Sequence, residues 1–276
     1  NWNGYRANKY GLVEIPSLAA GNYTIQAWSD WYYRYYGGEG DNFILYAFNY
    51  TYTGEWNQLV YLDASTAPTG IINATGVDGN PLQDAYVGFI PTEMLIDATG
   101  PYQPIYDLPG TDQDGILELK VSNGTYLTFL VGQDSGVPAS YFLYQYVNFT
   151  EPTEMVVYAP LIEELAVLNL SAQIQGYATQ AVIMVRLQEL DTYYPMAAWL
   201  YGVQYLGLIT PGNYFTYSAL LIGTQTGDYW YYYFEGGYEP VPFEANRTYS
   251  NVMGGKLTLT FEVQGESFSP GAYVGY

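Results

Sequence analysis

The 276-residue chain contains no cysteine and no histidine. Ser-His-Asp and Cys–His catalysis, haem ligation through histidine and zinc sites of the usual kind are thereby excluded. A disulfide framework is excluded too, so cysteine says nothing about compartment. Positive charge is nearly as scarce. Seven Lys and Arg stand against 27 Asp and Glu, for a formal net charge of −20. A binder of phosphate backbones needs basic residues to release counterions, and an anionic membrane surface would repel this chain. No run reaches the ~18 apolar residues of a membrane-spanning helix. No basic-then-apolar leader opens the sequence, so the chain is expected to be a mature product or a piece of something longer.

What is present is apolar and aromatic. Hydrophobic residues make up 49% and include 34 Tyr, which excludes a disordered chain. The length exceeds the ~100–200 residues of one typical domain, so two or three small domains are expected. Tyrosine supplies a large ring to bury and a hydroxyl that reaches water or a carbonyl, so the chain is polar without being charged. Edge strands would lack the usual Lys gatekeepers, leaving carboxylates and glycans to block wrong pairing.

Asn-x-Ser/Thr occurs seven times, at Asn22, Asn49, Asn73, Asn123, Asn148, Asn169 and Asn246. Chance would give about two among 15 Asn, so the excess points to N-glycosylation and an extracellular location. A strand-rich protein also favours Asn and Thr at turns, which is the plainer explanation of some of them.

Helical periodicity is scarce. Five- to eight-residue segments alternate apolar and polar residues between Gly, Pro, Asn and Asp, the pattern of β-sandwiches. Strands are expected at 23–28, 43–50, 58–62, 85–90, 116–121, 126–131, 166–174, 181–187, 214–222 and 256–263. Residues 161–170 read as a linker entering a strand. A repeat emerges when the turns are aligned: Gly21-Asn22-Tyr23, Gly124-Thr125-Tyr126 and Gly212-Asn213-Tyr214. Its spacing suits sandwich domains of roughly 100 residues.

The middle copy is the most complete. Asp78-Gly79-Asn80-Pro81-Leu82-Gln83-Asp84-Ala85-Tyr86-Val87 is followed by Thr111-Asp112-Gln113-Asp114-Gly115-Ile116 and then by Gly124-Thr125-Tyr126. Over residues 68–160 this resembles the carboxypeptidase-regulatory-like and collagen-adhesin B-type repeats. The resemblance implies a prealbumin-like β-sandwich, of a kind found in stalks, surface layers and accessory domains of secreted enzymes. Some relatives carry a Lys–Asn isopeptide bond. Here only Lys9, Lys120 and Lys256 exist and Lys120 is not in an opening strand, so none is expected. The expected architecture is all-β, with tandem Ig-like or prealbumin-like sandwiches at 1–66, 67–160 and 161–276. The first is incomplete without strands from elsewhere: either it is cut from a longer modular protein, or a neighbouring subunit donates strands.

Three features raise the question of chemistry. Asp134-Ser135-Gly136 resembles the catalytic turn of aspartic proteases, but those need two such turns, and a polar hairpin turn explains one. Asp112 and Asp114 are oxygen ligands spaced for Ca²⁺, without the following bidentate Glu of an EF-hand. Two aromatic clusters, around Trp28, Trp31, Tyr33 and Tyr35 and around Trp230 and Tyr232, serve core packing, subunit contact or sugar stacking.

These features lead to a non-enzymatic structural subunit of an extracellular glycosylated assembly: a filament, a sheath or a surface layer (S-layer). Its expected partners are other copies of itself and covalent N-glycans, without nucleic acid or membrane insertion. No cofactor is expected beyond Ca²⁺. Dense sequons with little Lys and no Cys suggest an archaeal source. The alternatives are a carbohydrate-binding accessory module of a secreted enzyme and an acid-acting hydrolase using Asp134.

Overall fold

A computed structural model describes residues 5, 13–28, 43–54, 66–92, 95, 110–134, 136–172, 178–190, 192–200, 202–223, 229–234 and 239–253. Nearly all of these lie in strands or the turns between them. The expected strands at 58–62 and 256–263 fall outside the described residues, as do Trp31, Tyr33 and Tyr35.

The middle unit is a two-sheet sandwich. β3 (Thr69–Ala74), β5 (Ile116–Val121) and β8 (Thr153–Tyr158) form one sheet; β4 (Tyr86–Pro91), β6 (Gly124–Asp134) and β7 (Ala139–Phe149) form part of the other. β3 alternates strictly, burying Gly70, Ile72 and Ala74 and turning Thr69, Ile71 and Asn73 outward, as period-2 geometry requires. Between the sheets lie Ile72, Leu82, Phe89, Leu117, Leu119, Tyr126, Tyr141, Phe149 and Val156. Tyr158 crosses this core and donates its hydroxyl to Thr128 Oγ1 at 2.7 Å. Thr128 itself donates to the Gln145 carbonyl, so both buried hydroxyls are satisfied.

The motifs that carried the family resemblance meet at one side chain. The buried Thr111 hydroxyl donates to the Leu82 carbonyl and accepts the Ala85 N–H at 2.9 Å. It thereby pins the Pro81–Val87 stretch to the Asp112 turn. Within that turn Asp112 Oδ1 accepts the N–H groups of Asp114 and Ile116, both at 2.9 Å. Gly115 sits at φ +74°, and a Cβ there would lie 2.3 Å from the Ala74 carbonyl oxygen, so only glycine fits.

On one side the middle unit is extended by β1 (Gly21–Trp28) and β2 (Phe43–Tyr52), an antiparallel hairpin. β2 then runs parallel to β5 through Phe43–Leu45 opposite Leu119–Val121. The five-stranded sheet is therefore β1-β2-β5-β3-β8. Edge addition of the first segment thus takes place on the middle unit of the same chain.

On the other side, a short 3₁₀ turn at Ile162–Glu164 leads into β9 (Ala166–Ala172), as the linker reading expected. Then follow β10 (Ala178–Leu187), β11 (Tyr194–Leu200), β12 (Val203–Ile209), β13 (Gly212–Gly223), β14 (Tyr229–Phe234), β15 (Val241–Phe243) and β16 (Arg247–Met253). β12 pairs with β11 by its first half; its second half runs parallel to β7 and antiparallel to β9. One sheet consequently runs unbroken from β4 to β14, across residue 160.

This continuity buries β6 on both faces. Tyr126 and Leu130 face the first core, while Leu127 and Phe129 join a second core with Ile90, Phe142, Ile183, Val185, Tyr194, Ile209 and Tyr214. Phe129 stacks on Phe142 with centroids 5.7 Å apart and planes 10° apart. It also contacts Tyr86 and Tyr194 at 5.9 and 5.8 Å.

The three Gly-x-Tyr copies do the same thing in space. Each tyrosine hydroxyl donates to the carbonyl four residues earlier: Tyr23 to Ala19 at 2.7 Å, Tyr126 to Ser122 at 3.2 Å and Tyr214 to Thr210 at 2.8 Å. A strand places residues i and i−2 on one face, so the ring must lie back over residue i−2. A Cβ on Gly21, Gly124 or Gly212 would meet that ring at 3.7, 3.4 and 3.4 Å. These are ordinary contact distances, so the ring packs on the residue two before it, and the bond fixes the chain as it turns into the strand, as a tyrosine corner does.

Candidate functional site

The candidate sites lie on the surface, in sequons, edge strands and acidic turns. Asn22, Asn123, Asn148 and Asn246 are exposed; Asn73 and Asn169 are half-buried. Asn49 lies in β2, opposite Thr24. Asn73 occupies a central strand between Ile116 and Val157, and Asn169 Oδ1 accepts from Gln204 Nε2. Asn246 has φ 57°, the left-handed turn conformation that asparagine tolerates best among side-chain-bearing residues.

Four of the sequons come in facing pairs, which sequence spacing did not reveal. In the β1–β2 hairpin Asn22 stands opposite Thr51, and Thr24 opposite Asn49. All four positions share one face, because the side-chain period is two. The Thr51 hydroxyl donates to Asn22 Oδ1 at 2.8 Å. In the β6–β7 hairpin Thr125 stands opposite Asn148 and donates to its Oδ1 at 3.3 Å. Asn123 and Thr150 flank that pair and are exposed as well.

Two sheet edges are apolar or aromatic. β8 pairs only with β3 among the described residues. It carries Met155 and Val157 with 58% and 50% of their surface exposed, and exposed Leu161 and Ile162 follow. No Lys or Arg lies in Thr153–Tyr158, so no cation blocks this edge. β14, with the sequence Tyr-Trp-Tyr-Tyr-Tyr-Phe, is the edge at the far end of the long sheet among the described residues. Trp230 and Tyr232 sit at alternate positions there, opposite Ile222 and Leu220. Trp28 is the last residue of β1, opposite Leu45.

The acidic positions separate into turns. Asp112 uses its carboxylate to cap its own turn, and Asp114 is exposed. Among the described residues no group of three or more acidic side chains is placed to hold a metal ion. Asp134 caps the β6–β7 hairpin: its Oδ1 accepts the Gly136 and Val137 N–H groups at 2.8 and 3.2 Å. The sequence offered no partner for it, yet the fold brings Asp78 and Tyr141 to its side. Burial pushes the Tyr141 phenol up, and the Asp134 and Asp78 charges add to that. Lys120 Nζ donates to Thr69 Oγ1 at 2.7 Å and to the Ala67 carbonyl at 3.2 Å, with no asparagine among these partners.

No protein-family model and no curated protein matches the chain. Among solved structures, the Bacillus anthracis TIE protein is similar at 14% identity and a TM-score of 0.27. That match covers 91% of this chain and 44% of the other, so this chain spans less than half its length. A streptococcal ancillary pilin is similar at 12% identity and a TM-score of 0.26, covering 88% of this chain and 77% of the pilin. At these TM-scores the likenesses carry no argument, and the fold stands on the strand pairing described above.

Proposed function

We propose that the chain is a structural subunit of an extracellular glycosylated assembly, a filament, sheath or surface layer. The observation that carries the reading is the outward placement of sequon asparagines on a nearly all-strand scaffold. Asn22, Asn123, Asn148 and Asn246 are exposed, as an acceptor that bears a glycan must be. The facing sequons, Asn22 with Asn49 and Asn123 with Asn148, would gather glycans on two hairpins. The β8 and β14 edges remain for contact with other copies. An edge strand offers a row of free N–H and C=O groups, and strand addition satisfies them. Exposed Met155 and Val157 supply apolar surface beside one such row. The net charge of −20 opposes close approach of copies unless ions or ordered pairing offset it.

Glycopeptide mass spectrometry and electron microscopy of native material test the two halves separately. The expected result is glycan mass on peptides carrying the four exposed asparagines, together with ordered filaments or sheets. Unmodified asparagines would overturn the glycoprotein half. Dispersed monomers at native surface concentration would overturn the assembly half.

A further inference from the structure

Asp78 and Asp134 approach each other from two separate loops. Asp78 lies in the turn between β3 and β4, and Asp134 closes β6. Asp78 accepts the Asn80 N–H on Oδ1 at 3.0 Å and the Asn80 side-chain amide on Oδ2 at 2.6 Å. Asp134 is 7% exposed and spends Oδ1 on its own hairpin. Its Oδ2 is buried and has no hydrogen-bond partner. That is a costly arrangement for a carboxylate oxygen, and it calls for a counter-charge.

Only glycine fits beside that oxygen. A Cβ on Gly76 would lie 2.6 Å from Asp134 Oδ2, 3.0 Å from Tyr141 Oη and 3.1 Å from Asp78 Oδ1. Three oxygens from three separate segments therefore gather beside the Gly76 backbone, and two of them belong to carboxylates. The Tyr141 hydroxyl accepts the Val77 N–H at 3.1 Å, which holds it there. Among the described residues no Lys or Arg pairs with either aspartate; the ion pair found is Arg247 with Glu244 at 2.6 Å. Two carboxylates side by side repel each other unless a proton or a cation stands between them. The buried Asp134 Oδ2 receives no N–H or O–H donor, and a cation in front of it would offset both carboxylates at once.

We infer that Asp78, Asp134 and Tyr141 form a binding site for a hard divalent cation of the calcium class, clasping the 76–80 turn to the β6–β7 hairpin. Oxygen-only donors from separate segments suit Ca²⁺, which accepts irregular geometry and completes its shell with water. The site differs from the Asp112–Asp114 turn expected from sequence, where the Asp112 carboxylate already serves its own backbone. It stands independently of the assembly reading.

The test is calcium titration of the full chain by calorimetry, with thermal melts in CaCl₂ and in chelator. The wild type is expected to show one saturable site and a Tm that rises with the logarithm of calcium concentration. Asp78→Asn should weaken binding about tenfold or more. Asp112→Asn and Asp114→Asn should bind as the wild type does. Asp78 is exposed, and asparagine keeps an acceptor for the Asn80 N–H, so this variant decides even where Asp134→Asn fails to fold. A wild type without saturable binding overturns the site. So does an Asp78→Asn variant that binds unchanged, and so does a diffuse multi-site isotherm that monovalent salt abolishes.

Discussion

Replacing Gly88 by alanine probes whether the middle and third units share a sealed core. Gly88 lies in β4 on the face turned toward the third unit. A Cβ there would stand 2.1 and 2.2 Å from ring carbons of Phe129, where an ordinary carbon contact is ~3.5–4.0 Å. The ring has to move by more than an ångström, and it is boxed in. Phe142 stacks on it, and Tyr86 and Tyr194 stand at its sides. Overpacking of this kind costs about 1–3 kcal/mol, and the surrounding rings place the expected value at the upper end. In urea the midpoint should fall with an unchanged slope. Phe129→Ala alone should cost about 3–5 kcal/mol, through lost burial and a cavity. The double variant is the decisive one. With the ring gone the new methyl has room, and alanine in a strand interior is favoured over glycine by up to about 1 kcal/mol. Gly88→Ala should therefore be neutral or stabilising in the Phe129→Ala background, a coupling of at least about 1 kcal/mol. Additive costs would refute the reasoning. They would mean that the ring swings aside freely, so that the outer face of β6 is not covered by the third unit.

Further predictions follow from single hydrogen bonds. Tyr126→Phe and Tyr214→Phe should each cost about 0.5–1.5 kcal/mol in denaturant melts. Tyr23→Phe should cost less, because its bond is exposed; equal costs would argue against the three corners differing only in burial. Thr111→Val strands the Leu82 carbonyl and the Ala85 N–H and should cost about 1–3 kcal/mol; a loss under 0.5 kcal/mol would show that the turn does not depend on that hydroxyl. Burial holds the Tyr158 and Tyr214 phenols well above their ordinary range. The unfolded chain then ionises them first, so their stability contribution is complete below about pH 10 and lost as pH rises toward the folded values. Each should contribute a slope of up to about 1.4 kcal/mol per pH unit there. Tyrosinate absorbance and circular dichroism recorded together check this: the last tyrosines should titrate only as the fold is lost.

The sequence alone determined what depends on neighbours along the chain. Alternation announced strands, and Gly-x-Tyr announced three turns entering strands, while the bond from each ring to the carbonyl four residues back came from the structure. The Thr111 and Asp112 turn was legible through the family resemblance, and the use of Asp112 to cap it was not. The seven sequons were legible as a count, while their facing in pairs rests on the register of β1 on β2 and of β6 on β7. Period-2 reading gives each strand one buried face, so it could not show that Phe129 is buried as deeply as Tyr126. That burial comes from Leu168, Ile183, Tyr194, Ile209 and Tyr214 packing on the second face, tens of residues away. The docking of β2 on β5 is likewise long-range. The meeting of Asp78 with Asp134, across more than fifty residues, is too: each looks like an ordinary turn residue until the sandwich closes and leaves one carboxylate oxygen buried beside another.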